Sequence, residues 1–190
     1  MDLSTLHRRT VETWTDRVRA VPDDRWDAPT PCTEWTVRDL VNHVVGEERW
    51  TVPLMHGSTI AGVGDSLDGD LLGERPGEVA ASAATEAVAA VDEELPREAK
   101  VHLSYGDEKA GEYVRQLCAD HLLHAWDLAA AIGGDTRLDP ELVAEVTPWF
   151  AEREDLYRSA GLIGPHLDAS DDTQARLLAG FGRSDSWTPR

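Results

Sequence analysis

The sequence predicts an all-α fold: a four-helix bundle with one long connection and short helices at its C-terminal end. Three observations carry that reading. Apolar residues recur at helical spacing over four long stretches, capping and stop signals bracket those stretches, and alternation of period two is confined to one short run. A chain of 190 residues has the length of one ordinary domain whose core needs no crosslinks. The expected organisation is a single domain over 1–190, with a bundle core over about 3–135 and a helical extension over 136–190.

Leu3, Leu6, Val11, Trp14 and Val18 form the apolar stripe of a first helix over about residues 3–20, ended before Pro22. A loop holding Pro29, Thr30, Pro31 and Cys32 follows. Thr36 with Asp39 three residues later resembles a capping box, and it starts a second helix that runs to about Met55. On that helix Val37, Leu40, Val41, Val44 and Val45 face the core, with His43 among them. Residues 57–75 hold five glycines, three aspartates and no sustained period, so they read as a long exposed connection that covers a cleft.

Pro76 suits the first turn of a third, Ala-rich helix from Gly77 to Leu95, stopped at Pro96. Val101 to Gly106 alternates like a short extended segment. A fourth helix spans about Glu112 to Ile132 and ends at Gly133-Gly134. The tail reads as helix from Pro140 to Ala160, bent or restarted at Pro148, and a last short helix from Thr173 to Leu178.

Composition excludes several function classes. A net charge of −18, from 36 acidic against 18 basic residues, repels phosphate backbones and anionic lipid, so nucleic acid and membrane surfaces are not expected partners. No apolar run approaches the ~20 residues of a membrane span, and Met1-Asp2-Leu3 leads straight into an amphipathic helix, so a cytoplasmic protein is expected. Cys32 and Cys118 make neither a disulfide framework nor a thiolate zinc site. Cys32 precedes a helix start, where the helix dipole favours a thiolate, whereas Cys118 packs as a small apolar residue.

Asp120 and His124, four residues apart, share one helix face and can grip one ion, completed by a ligand from a neighbouring helix. His43, which interrupts the apolar face of the second helix, is the candidate third ligand; each histidine alone reads first as a core imidazole bonded to a carbonyl, and their conjunction with Asp120 and Asp127 favours the ligand reading. A divalent ion would offset the cost of burying a carboxylate beside imidazole. His121 with His124 is the competing helical pair, and the choice stays open at this level. Two histidines and one carboxylate leave a position free for water or substrate, the pattern of catalytic zinc or non-haem iron. Glu47, one turn after His43, either orients a ligand and accepts a proton or is a surface charge paired with Arg. Trp50 and Trp126 wall the cleft or fill the core, and Asp127 backs a ligand histidine or pairs with Arg.

Residues Thr30 to His43, reading TPCTEWTVRDLVNH, resemble the opening motif TPC-x-x-W-x-V-x-D-L-x-x-H of actinobacterial DinB-like metal-binding proteins. The segment His124-Ala125-Trp126-Asp127-Leu128-Ala129 resembles the H-x-W-D-L-A helix of the same proteins, which are related to the N-terminal domain of mycothiol-dependent maleylpyruvate isomerase. The resemblance covers about residues 3–135, and Leu177 to Arg183 resembles the family's closing segment. It implies a DinB/YfiT-like bundle with a divalent metal, usually zinc, held by His43, Asp120 and His124. The isomerase has Glu at the position of Asp120, so His121 is the substitute ligand if the shorter arm fails.

The activity the resemblance implies is a metal-dependent thiol transferase or thiol-assisted isomerase, with mycothiol as cosubstrate and Glu47 or His121 handling the proton. The expected partners are a small-molecule electrophile and a low-molecular-weight thiol, with a homodimer left open. The alternatives are a metal-dependent hydrolase and a non-enzymatic binding module that a metal stabilises. Maleylpyruvate isomerisation itself is not carried over, because the chain is short for a second domain like that of the full isomerase.

Overall fold

In the computed structural model, which describes residues 1–189, four long helices make the bundle, and local chemistry explains where each begins and ends. Helix α1 (Leu3–Arg19) starts at Asp2, whose carboxylate accepts the Thr5 N–H. Helix α2 (Val37–Met55) starts at a full capping box: the Thr36 hydroxyl accepts the Asp39 N–H while the Asp39 carboxylate accepts the Thr36 N–H. A single turn, α3 (Ile60–Val63), interrupts the connection to α4 (Pro76–Glu94), which has Pro76 in its first turn. Helix α5 (Ala110–Ile132) stops at Gly133, whose φ of +70° places it in the left-handed region that glycine reaches without strain.

Helix α5 is the spine. It packs along α1 and against α2, and α2 in turn lies along α4. One apolar cluster joins Leu6, Leu117, Leu122, Val146, Phe150 and Leu178, tying α1 and α5 to the C-terminal helices. A second joins Trp14, Leu40, Val44, Leu72, Ala83 and Leu128 between α1, α2, α4 and α5. The C-terminal part comprises α6 (Pro140–Ala151), α7 (Glu154–Ser159) and α8 (Thr173–Gly180). Phe150 stacks on Phe181 at 3.7 Å between ring centroids, and a Cβ at Gly180 would lie 2.8 Å from Phe150, so this joint needs glycine there. Among the described residues no helix is long and apolar enough to cross a membrane.

Several elements depart from the sequence reading. The 57–75 connection is tied down and partly folded: α3 is capped by Thr59, Asn42 on α2 donates to Gly69 O and accepts the Leu71 N–H, and Arg38 pairs with Asp70. Leu72 is buried, which anchors the segment by about 2 kcal/mol. Leu67, Leu71 and Leu72 stand among glycines and aspartates without a sustained period, which is why the pattern misses the anchor. The extended segment is one arm of an antiparallel hairpin, β1 (Lys100–Leu103) with β2 (Gly106–Lys109), Lys100 opposite Lys109 and Leu103 opposite Gly106. The second strand reads Gly-Asp-Glu-Lys and carries no apolar alternation.

Helix α5 begins two residues earlier than expected, and α8 extends two residues beyond Leu178. Pro148 does not break α6, which continues to Ala151. The interruption falls at Glu152 and Arg153, where the Arg153 guanidinium turns in to pair with Glu112 of α5 and lies over the Trp149 ring.

One polar pair is buried where α2 meets α5. His121 Nδ1 donates to Leu117 O at 2.7 Å and its Nε2 lies 3.2 Å from Glu48 Oε1, with both side chains fully buried. Burial alone would push the His121 pKa down; the bond to Glu48 and its charge outweigh burial and raise it. His7 of α1 stands edge-on to this ring and is held neutral, its pKa pushed down to about 3 by burial and then by His121. Breaking such a pair leaves an uncompensated buried group. Glu48→Ala is therefore expected to cost about 3 kcal/mol or more, whereas the double replacement Glu48→Leu/His121→Leu recovers most of the loss; thermal unfolding monitored by circular dichroism measures both.

Candidate metal centre

Neighbouring residues on α2 and α5 face opposite ways. On α2, Glu48 points into the core, while Glu47 and His43, four residues apart, line a cavity. On α5, His121 points into the core, while Asp120 and His124, also four apart, line the same cavity. His43, Asp120 and His124 thus converge from two helices. His43 Nε2 lies 3.6 Å from Asp120 Oδ2, His124 Nε2 lies 3.3 Å from Asp120 Oδ1, and one ligand atom of each residue lies within 4.8 Å of the others. The two imidazoles are nearly perpendicular, their centroids 5.1 Å apart.

Behind His124 stands Asp127, which is fully buried. Its carboxylate accepts the His124 Nδ1–H at 2.9 Å, and that bond leaves Nε2 facing Asp120. Arg183, from the turn after α8, donates to both Asp127 oxygens at 3.0 and 3.3 Å. Burial would raise the Asp127 pKa, but Arg183 and His124 outweigh it and hold it at about 2. Cys32 completes the group: its Sγ donates to Asp127 Oδ2 at 3.2 Å and accepts from Arg183 Nη2 at 3.3 Å.

The electrostatics of the cluster are polarised. Burial pushes Asp120 upward, yet His124, by its charge and its bond, and the nearby His43 hold it well below the usual carboxylate range. Burial lowers His124, but Asp120 and Asp127 raise it well above an ordinary imidazole. Glu47 is raised by burial and then by the Asp120 charge. Asp120 Oδ2 is buried and has no hydrogen-bond partner among the described residues; His43 Nε2 lies 3.6 Å from it, whereas His124 Nε2 faces Oδ1.

The cluster forms one end of a cavity of about 770 Å³. Trp50 lines it as expected; Trp126 is in the core instead. His121 does not line the cavity, and both its ring nitrogens are engaged in the core. Three residues were not singled out by sequence reasoning as parts of the site. Trp35 lies 4.9 Å from the His43 ring, Cys32 reaches the Asp127 carboxylate, and Arg183 supports it. Their signal is membership of the TPC-to-histidine motif and of the closing segment, with, for Cys32, its place before a helix start. A separate surface grouping of His56, Glu93 and Glu94 has both carboxylates paired with Arg97.

Residues 7–129 match the family described as the mycothiol maleylpyruvate isomerase N-terminal domain. Two uncharacterized proteins from two strains of Mycobacterium tuberculosis are each 35% identical to this chain over 152 residues, covering 76% of it and 75% of the relative. In fold the chain is similar to crystal structures of the mycothiol-dependent maleylpyruvate isomerase. A mutant of that enzyme superposes with a TM-score of 0.67 at 17% identity and a second structure with 0.53 at 19%, each covering 92% of this chain and 78% of the other.

The depressed Asp127 pKa ties stability to pH. A carboxylate near 2 in the folded chain and near 4 when unfolded contributes about 2 kcal/mol, present above about pH 4 and lost as pH falls through 2. Asp127→Asn should accordingly be less stable than the parent at pH 7, with the gap narrowing steadily between pH 4 and 2 in urea titrations.

Proposed function

The chain belongs to the family of the mycothiol maleylpyruvate isomerase N-terminal domain, and from that premise we propose that it is a metal-dependent enzyme bringing a low-molecular-weight thiol, mycothiol, to a small electrophile, as a thiol transferase or thiol-assisted isomerase. The observation that carries the reading is the Asp120 carboxylate, whose Oδ1 faces His124 Nε2 and whose buried Oδ2, facing His43 Nε2, has no hydrogen-bond partner. Such a donor set, two imidazoles and one carboxylate with a cavity on the open side, fits a divalent ion of the zinc type. When bound, the ion supplies Lewis acidity that lowers the pKa of a thiol at neutral pH.

His43, Asp120 and His124 are the proposed ligands. Asp127 holds the His124 ring by its Nδ1–H, so the imidazole presents Nε2 without rotating, and Arg183 keeps Asp127 ionised for that task. Glu47, raised by burial and by Asp120, is the proton acceptor: its carboxylate takes the proton that the thiol sulfur loses and returns it to the product. Trp35 and Trp50 wall the reacting end and exclude water.

Three outcomes test these roles. His43→Ala and His124→Ala should lose bound metal by elemental analysis while the helical circular dichroism signal persists; Asp120→Ala should lose it too, and His121→Ala should keep it. Unchanged metal stoichiometry in both histidine variants would overturn the ligand assignment. Because His124 is held protonated above its usual range, metal binding must displace that proton, and affinity should rise with pH through neutrality. Calorimetry in buffers of different ionisation enthalpy counts the proton released. Turnover of an electrophile should appear only when thiol is added, and a rate independent of thiol would favour hydrolysis instead.

A further inference from the structure

The two histidines of the cluster are braced differently. His124 is held from behind, because its Nδ1–H is bonded to the buried Asp127 carboxylate. His43 has no such support: among the described residues its one ion-pair partner is Asp120, which Nε2 faces at 3.6 Å, and no acceptor lies at hydrogen-bond distance from Nδ1. An imidazole without an acceptor behind it turns easily, since the torsion between Cβ and the ring is broad.

What stands beside His43 is an indole. The Trp35 ring centroid lies 4.9 Å from that of His43, at an interplanar angle of 44°, and 6.1 Å from that of His124. Trp35 also packs against the apolar cluster of Trp14, Leu40 and Val44, so the indole is itself anchored. The turn that presents it is closed on itself: the Trp35 N–H donates to Cys32 O at 3.0 Å, and Trp35 O accepts the Thr30 N–H at 3.1 Å and the Thr30 hydroxyl at 3.0 Å. Within this turn Glu34 has a φ of +72°, the left-handed region that a residue bearing a side chain enters only at a cost. Such a conformation persists where surrounding contacts over-determine the backbone, and here it delivers the next residue, Trp35, to the cluster.

We infer that Trp35 is a positioning residue for His43: its indole does for that imidazole what the Asp127 carboxylate does for His124, limiting rotation of the ring so that Nε2 stays aimed at Asp120. The inference rests on the proposed reading of His43 as a metal ligand and adds a residue that acts through the ligand. One turn then steadies both histidines, because Cys32 of the same turn is bonded to Asp127 and Arg183 behind His124. Restraint of a planar ring by contact needs a flat aromatic neighbour, whereas leucine would suffice to fill the same space.

The test compares Trp35→Phe, which keeps a flat face, with Trp35→Leu, which keeps only apolar bulk. In the metal-free protein, NMR relaxation of the histidine rings should show the order parameter of His43 falling in Trp35→Leu, with His124 unchanged and Trp35→Phe close to the parent. Zinc titrated in competition with a chromogenic chelator should bind about tenfold more weakly to Trp35→Leu and at near-parent strength to Trp35→Phe. Four results would each overturn the inference: an unchanged His43 ring in Trp35→Leu, equal loosening of both histidines, a loss of zinc affinity that phenylalanine does not restore, or zinc binding at parent strength to Trp35→Leu. A parent protein that binds no zinc would sink the metal reading alone, because ring order measured without metal still decides the role of Trp35.

Discussion

The bond between Glu48 and His121, buried where α2 meets α5, sets the register on which the rest of the site depends. A helix turns about 100° per residue, so placing Glu48 and His121 in the core obliges the residues just before them, Glu47 and Asp120, to face the cavity. His43 and His124, each four residues from one of those two, follow onto the same faces. A polar pair in an apolar interior tolerates little sliding, because any shift that separates the partners strands a buried group. The core pair and the cavity cluster are therefore two layers of one helix contact.

Support for the cluster comes from the far end of the chain. Arg183 reaches Asp127, Asp127 holds His124, and His124 faces Asp120. What brings Arg183 there is packing: Phe181 stacked on Phe150, and Gly182 so close to Gly164 that a Cβ would lie 3.0 Å from its Cα. The C-terminal helices are thus part of the site's geometry, and they close one side of the cavity through Phe181, Gly182 and Ile163. Membership of the family and a shared fold with the isomerase locate the chain among relatives.

Legibility followed the range of the interaction. The capping box at Thr36 and Asp39, the stop at Gly133, and the apolar stripes of α1, α2 and α5 are local, and the pattern of residues displays them directly. The hairpin's second strand, the buried Leu72 and the passage of α6 through Pro148 were not legible, because each is stabilised by something distant in the chain or absent from the local pattern. At the site the same division holds. The i, i+4 spacing of Asp120 and His124 displays their common face, but His121 and His124 at i, i+3 look almost equally suited until Glu48 is found on the other side of one of them.

By itself, then, the sequence determines the all-α class, the four long helices and the fact that His43, Glu47, Asp120, His124 and Asp127 sit on helix faces at turn spacing. Only the tertiary structure decides which of those faces meet, that His121 belongs to the core, and that Cys32, Trp35 and Arg183 gather around the cluster. The reason is geometric. Helical periodicity fixes angles within one helix, whereas contacts such as Arg183 with Asp127 join residues 56 positions apart, and no local repeat encodes that separation.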